Sequence, residues 1–388
     1  MMKVVISIDS FKGSLTSIQA AQAIEKGIKR VEKEAEIVIK PLADGGEGTV
    51  DALVDGMSGN MEFIKVTGPA GKTVLSKYGI IRLTNPDMEE TNTAIMEMSQ
   101  AAGITQVTDK ERNPLYTTTY GVGQMIVDAI QKGCRRFIMG IGGSATNDGG
   151  VGMLQALGYD FLDKDGNHIK HGAIGLKDLV QIKDDKVIPE LKNCEFHIAC
   201  DVTNPLCGEE GCSAIFGPQK GATKQMVQDM DQWLADYAEI AKQNFTKADA
   251  NKPGTGAAGG LGFAFLTFTN ATLKSGVDLI LNETKLEEEI KDADIVITGE
   301  GCLDAQTAMG KAPIGVAKLA KKYGKLVLGF SGAVTKGATA CNEAGIDAYF
   351  PIVRSAVSLE EAMKKKNAQE NLTDTVEQVF RLIKVLCK

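Results

Sequence analysis

The sequence predicts an α/β protein in which a doubly wound parallel sheet carries a second α/β domain inserted into its chain. Three observations predict it. Short β-branched runs alternate with helical periodicities at both ends of the chain, a strand, turn and strand break that alternation near residue 63, and 388 residues exceed what one hydrophobic core usually organises.

Taken in order, residues 3–9 form a β-branched strand, and Thr16-Ser17-Ile18-Gln19 is a capping box, in which each end satisfies an orphan backbone donor of the other. The helix that follows repeats apolar residues at Ala20, Ile24, Ile28 and Val31, and residues 36–40 read as a second strand closed by Pro41. Another helix begins near Thr49 and carries Leu53 and Val54. Residues 63–66, the turn Gly68-Pro69-Ala70-Gly71 and residues 74–83 then form a hairpin. The middle of the chain holds strands at 94–98, 136–139 and 196–200, with helices at 121–131 and 226–241. From residue 278 the alternation resumes, with strands at 294–298, 326–330 and 347–350 and helices at 313–322 and 337–344. The stripe Leu372, Val376, Val379, Phe380, Ile383 and Leu386 is the apolar face of a terminal helix docked on the sheet. Strands from both ends, joined by crossover helices, make one parallel-sheet domain of residues 1–60 and 272–388, and residues 61–271 make the inserted domain.

Composition narrows the function. Lys and Arg number 43 against 50 Asp and Glu, a net charge of −7 with no basic block, which excludes nucleic acid as a partner. Lys364-Lys365-Lys366 closes a short helix and faces water. No apolar run reaches the roughly 18 residues of a membrane span, and the start at Met1 turns polar too soon for a secretory signal, so a cytoplasmic protein is expected. Cysteines 134, 194, 200, 207, 212, 302, 341 and 387 contain no C-x-x-C pair and read as free thiols. Cys194, His197, Cys200, Cys207 and Cys212 fit no structural zinc spacing. Glycine is the unusual entry, at 43 residues against a typical share of about 7%.

Those glycines gather with acids. In open α/β sheets ligands bind beyond the carboxyl ends of the strands, and three loops expected there are Asp9-Ser10-Phe11-Lys12-Gly13-Ser14, Asp44-Gly45-Gly46-Glu47-Gly48-Thr49, and the run from Gly299-Glu300-Gly301 through Asp304 to Thr307. Any one of these acids serves as a helix cap. Together they repel unless a cation intervenes, and Mg²⁺ carrying a nucleotide phosphate is the usual cation of such a site.

Three glycine-rich strings invite a phosphate-loop reading. Gly71-Lys72-Thr73 lacks the earlier glycine of a P-loop, and Gly254-Thr255-Gly256-Ala257-Ala258-Gly259 lacks a preceding strand. Gly140-Ile141-Gly142-Gly143-Ser144-Ala145 follows a strand, precedes a helix near Asp148 and has Asp160 about 20 residues on, which is the best case for a nicotinamide enzyme. Against it, Asn147 and Asp148 stand at the helix start, where a second negative charge repels a pyrophosphate. A hydroxylated or metal-bound ligand suits that loop better.

The strings Asp9-Ser10-Phe11-Lys12-Gly13-Ser14, Ala43-Asp44-Gly45-Gly46-Glu47-Gly48-Thr49 and Gly299-Glu300-Gly301, with Gly142 through Gly150, Asp201-Val202-Thr203-Asn204-Pro205-Leu206 and Phe216-Gly217-Pro218-Gln219-Lys220-Gly221-Ala222, closely resemble the type I glycerate kinase family. The resemblance runs from Asp9 to the terminal helix. It implies ATP-dependent phosphorylation of glycerate, on a flavodoxin-like domain with a restriction-enzyme-like domain inserted. It favours 2-phosphoglycerate over 3-phosphoglycerate as product. One departure stands out: Cys302 occupies the place after Gly-Glu-Gly where the family usually has arginine, so another group must supply that charge.

Roles then follow from charge. Lys12 is assigned to a phosphate oxygen or the glycerate carboxylate, Asp44 with Glu300 and Asp304 to magnesium, and Asp148 or Asp201 to accepting the substrate hydroxyl proton. Ser10, Gly13, Gly142, Gly143, Ser144, Asn147 and Asn204 are expected to contact substrate or nucleotide. Lys220 is a second candidate for phosphate, or a solvated loop lysine. Glycerate and ATP are the expected small-molecule partners, and a homodimer is left open. The rival functions are a nicotinamide-dependent hydroxyacid dehydrogenase and a hydroxyacid-binding protein without turnover.

Overall fold

The computed structural model describes residues 1–84 and 90–386, so Cys387 lies outside the described residues. Its strands in chain order are β1 (Lys3–Ile6), β2 (Glu36–Ile39), β3 (Asn60–Thr67), β4 (Thr73–Thr84), β5 (Glu90–Glu97), β6 (Arg136–Gly140), β7 (Asp160–Leu162), β8 (Gln181–Lys183), β9 (Glu195–Ala199), β10 (Ala271–Lys274), β11 (Ile295–Leu303), β12 (Leu326–Val334) and β13 (Ala348–Pro351). The chain divides into two compact units. One comprises Met1–Asp44, Asp51–Ser58 and Val277–Lys388, the other Gly45–Val50 and Gly59–Gly276.

The first unit is a five-stranded sheet in the order β13-β12-β11-β1-β2, with every pair parallel. Counted along the chain and read from β2, this is the 2-1-3-4-5 order of flavodoxin-like sheets. Alternation within β1 explains why its strands are apolar throughout. Val4 and Ile6 enter one core with Ile24, Leu372 and Phe380, while Val5 enters the other with Val296, Val327 and Val316. The capping box at Thr16 forms as read and starts the helix Ser17–Lys29. The terminal helix Lys365–Leu386 packs on that first helix, where Thr373 Oγ1 donates to the Ala23 carbonyl at 3.0 Å. Its apolar stripe ends early, because Leu386 is exposed.

Three local expectations are corrected here. Gly299-Glu300-Gly301 is strand rather than loop: β11 and β12 stay paired as far as Leu303 and Val334. Gly299 makes this continuation possible, with φ at 151° and a side-chain position only 1.8 Å from the Phe330 carbonyl oxygen. Lys364 follows the helix Leu359–Met363, but Lys365 and Lys366 open the terminal helix, at the end its dipole disfavours for cations. Residues 336–343 form a 3₁₀ turn, Lys336–Thr339, and one α-turn, Ala340–Glu343, instead of one helix.

The second unit holds a six-stranded sheet in the order β10-β9-β6-β5-β4-β3. β10, β9, β6 and β5 are mutually parallel, and β4 and β3 continue antiparallel as the expected hairpin. β10 pairs with β9, so a boundary at residue 272 cuts a strand of this unit. An antiparallel pair, β7 with β8, was not legible because each strand has three residues. Phe137 stacks on Phe196 at 4.7 Å, and Phe265 packs against Phe196 at 5.5 Å. At the start of the helix Ala257–Phe268, residues Ala258, Gly259 and Gly260 take left-handed conformations, so regular helix begins at Leu261. Among the described residues no helix is long and apolar enough to cross a membrane, and the described cysteines are free.

Candidate active site

A cavity of about 470 Å³ opens at the carboxyl ends of β1, β11, β12 and β13 in the first unit. One side is charged, lined by Asp9, Asp44, Glu300 and Asp304 with Lys12 and Lys311. The turn after β1 sets Lys12. Phe11 and Leu15 exchange backbone hydrogen bonds at 2.8 and 3.0 Å, which lifts Lys12 and Gly13 into solvent. Gly13 has φ 76°, a left-handed conformation that favours glycine, and the Met363 methyl group lies 2.8 Å from its side-chain position.

Asp9 dominates the electrostatics. Its backbone N–H donates to the Gly299 carbonyl at 2.9 Å, and its Oδ1 accepts from the Ser10 N–H at 2.6 Å. Burial pushes its carboxyl up to about 7, the negative charges of Asp44 and Glu300 push the same way, and the Ser10 hydrogen bond and Lys12 oppose them. Burial also raises Glu300, whose Oε1 accepts from Thr307 Oγ1 at 2.7 Å. Asp304 goes the other way, held below the carboxylate range by the Thr307 N–H, which donates to its Oδ1 at 2.9 Å. It caps the helical turn Ala305–Ala308. Lys311 Nζ lies 4.0 Å from Glu300 Oε2 and 3.8 Å from Asp304 Oδ1.

The trio Asp44, Glu300 and Asp304 does not form a ready metal cage. Among the described residues no group of three or more His, Cys, Asp or Glu side chains could hold a metal ion. Asp304 is engaged as a cap, and Thr307 holds one oxygen of Glu300. Crowded hard carboxylate oxygens still fit Mg²⁺ that arrives on phosphates, since that ion usually takes only one or two protein carboxylates. The Cys194 to Cys212 group likewise forms no metal cluster.

The glycine loop after β6 belongs to the second unit. Gly142 and Gly143 are exposed, with Gly143 at φ 73°, while Ser144 through Asp148 are buried. Asp148 is 1% exposed. Its Oδ2 accepts from the Thr119 N–H and hydroxyl at 2.8 and 2.9 Å and from the Gly152 N–H at 3.3 Å, and its Oδ1 accepts from the Gly150 N–H at 3.2 Å. That placement corrects two expectations. Asp148 takes the helix-start donors that a pyrophosphate would need, so the nicotinamide reading loses its anchor. Enclosed by four donors, Asp148 is also poorly placed as a base.

Lys220 is buried rather than solvated. Its ammonium donates to Ser144 Oγ at 2.7 Å and to the Thr146 carbonyl at 2.6 Å, and burial lowers it to about 8. Asn147 Nδ2 donates to Ser213 Oγ at 2.8 Å, whereas its Oδ1 has no hydrogen-bond partner among the described residues. Asp201 is exposed and accepts from the Gly276 N–H at 3.0 Å, and Asn204 Nδ2 donates to the Glu210 carbonyl at 2.9 Å. The Asp44 loop is held partly by a residue the sequence did not suggest: Glu97 Oε1 accepts from the Gly48 and Val50 N–H groups at 3.0 and 3.1 Å. Lys311 was missed as well, because a lysine before Pro313 reads as an ordinary helix-start residue. Asp9 stood in a noticed string, but its burial has no local signal.

A doubly wound sheet with acids and lysines at its carboxyl edge defines the class of α/β enzymes that handle charged ligands at that edge. Within that class, residues 4–384 match the glycerate kinase family, and the chain belongs to it. The chain is 47% identical over 365 residues to a glycerate kinase of Halalkalibacterium halodurans, covering 94% of each. It is 45% identical over 363 residues to the glycerate 2-kinase of Escherichia coli, covering 94% of this chain and 93% of that one. It also resembles the crystal structure of a candidate glycerate kinase 2 from Salmonella typhimurium, with a TM-score of 0.89 and 43% identity over 99% of this chain and 98% of that one.

Proposed function

We propose that this protein transfers the γ-phosphoryl group of ATP to the 2-hydroxyl of glycerate, giving 2-phosphoglycerate and ADP. The observation that carries the proposal is the charged cavity at the carboxyl edge, in a member of the glycerate kinase family. The hydroxyl oxygen forms a bond to the γ-phosphorus, the bond from that phosphorus to the β,γ-bridging oxygen breaks, and the hydroxyl proton passes to a carboxylate. Such transfer asks the protein for positioning and charge compensation.

Asp9 is the proposed acceptor of that proton, in place of Asp148. A carboxyl pushed up to about 7 is a stronger base than an ordinary aspartate. Lys12 and Lys311 supply positive charge to the phosphates, and Lys311 provides near Glu300 the cation that Cys302 does not. Bound with ATP, Mg²⁺ would neutralise phosphate charge and polarise the transferred group, with Glu300 and Asp44 as the residues to hold it. In the second unit, the exposed backbone of Gly142 and Gly143 and the carboxylate of Asp201 are proposed contacts for small hydroxylated or charged groups. Ser144, Asn147, Asp148 and Lys220 shape that loop. A cytoplasmic location follows from the need for ATP.

The experiment is ADP release from protein with ATP and Mg²⁺, with and without glycerate. Glycerate-dependent release supports a kinase, and binding of glycerate without release supports a protein that kept its site and lost turnover.

A further inference from the structure

Phosphoryl transfer uses only the charged side of the cavity in the first unit. Another part of the lining is apolar, built by Ile352 and Val353 after β13, Leu359 and Met363 of the helix Leu359–Met363, and Ala368 of the terminal helix. Leu359 is 75% exposed and Val353 40%, so large apolar side chains remain in water around an open cavity. Grouped exposure of this kind marks a ligand surface more than a finished core. Two polar groups sit in the same lining. Ser14 Oγ is buried without a hydrogen-bond partner among the described residues, and Asn371, one helical turn from Ala368, presents an amide that can donate and accept.

We infer that this apolar wall is the seat of the nucleotide's purine ring, with Asn371 contacting the ring's polar edge. The inference rests on the phosphoryl-transfer reading above and names the part of the nucleotide it leaves unplaced. Glycerate has three carbons, all bearing oxygen, and gains almost nothing from an apolar wall. A purine has two broad faces that do gain, plus an edge of donors and acceptors. One molecule with an apolar ring and a polyphosphate tail matches a cavity whose lining combines an apolar wall with Lys12 and Lys311. Its volume, about 470 Å³, lies within the range of small-molecule sites.

Two variants test this, Leu359→Asp at an exposed position and Ala362→Phe, which enlarges another side chain of the cavity lining; circular dichroism checks both folds. The readouts are calorimetric affinity for ATP, inhibition by inorganic tripolyphosphate, which has no base, and the KM for glycerate. The inference expects ATP affinity to fall about tenfold or more in each folded variant, as loss of a packed apolar contact produces. Tripolyphosphate inhibition and the glycerate KM stay within about twofold. Asn371→Ala then narrows the preference for ATP over CTP. Unchanged ATP affinity in Leu359→Asp overturns the inference. So does parallel weakening of tripolyphosphate, because the wall would then shape the phosphate end. If the wild type binds ATP but never phosphorylates glycerate, the function fails while the calorimetry still decides the purine seat.

Discussion

Asp9, the proposed proton acceptor, carries most weight at the scale of a single residue. An unfolded aspartate titrates near 4, whereas the folded carboxyl titrates at about 7, pushed up first by burial and then by Asp44 and Glu300. Between those values the folded state holds a proton that the unfolded chain has released, so Asp9 lowers stability progressively as pH rises from about 4 through about 7. Asp9→Asn removes that penalty and the proton acceptor together. Melting temperature should rise at pH 8, be nearly unchanged at pH 4, and kcat should fall by about 10²-fold or more. Wild-type kcat/KM should decline below about pH 7 as the acceptor becomes protonated, a limb the variant lacks. A variant with normal turnover would remove Asp9 from the chemistry. The sequence offered Asp9 only as one of several acids at a helix start. What singles it out is burial beside two other carboxylates supplied by distant stretches of chain, and no local pattern encodes that.

Elements were legible where their causes are local. The capping box at Thr16 and the hairpin around residues 68–71 each depend on a few neighbouring residues, and both form as read. The extension of β11 through Gly299 depends on pairing with β12, and a glycine-rich string with no apolar alternation reads as loop. The loop after β6 shows the same limit. Its glycines announce it, but its conformation is set by Asp148 from within and by Lys220 from a turn far along the chain. Lys220→Met keeps most of the stem volume and leaves Ser144 Oγ and the Thr146 carbonyl without a donor. The expected loss is about 1–3 kcal/mol, the cost of stranding buried polar groups. It should be read by denaturant titration, together with faster hydrogen exchange at residues 144–147. Wild-type exchange in the variant would mean that the loop holds itself.

For the molecule as a whole, alternation at both ends of the sequence was enough to assign a parallel sheet to the termini and a different pattern to the middle. Strand order was not legible, because β1 sits between β2 and β11, whose sequences lie more than half the chain apart. The boundaries missed for the same reason: β10 belongs to its partner β9, and Gly45–Val50 belongs to the unit that contains Glu97. The proposed site has the same two parts. Acids and glycines in named strings supplied its candidates, while burial of Asp9 and Lys220 and the approach of Lys311 to Glu300 arise only from the fold.

The central claim is phosphorylation of glycerate at its 2-hydroxyl, and phosphorus NMR of the reaction in progress tests it most directly. With ATP, Mg²⁺ and glycerate, the account predicts that the γ-phosphate resonance of ATP declines as ADP and one phosphomonoester grow in equal amounts. That phosphomonoester should match 2-phosphoglycerate by coupling to a single proton. A product coupled to two protons would be 3-phosphoglycerate and would contradict the assigned acceptor, and an ATP spectrum unchanged by glycerate would contradict the kinase itself.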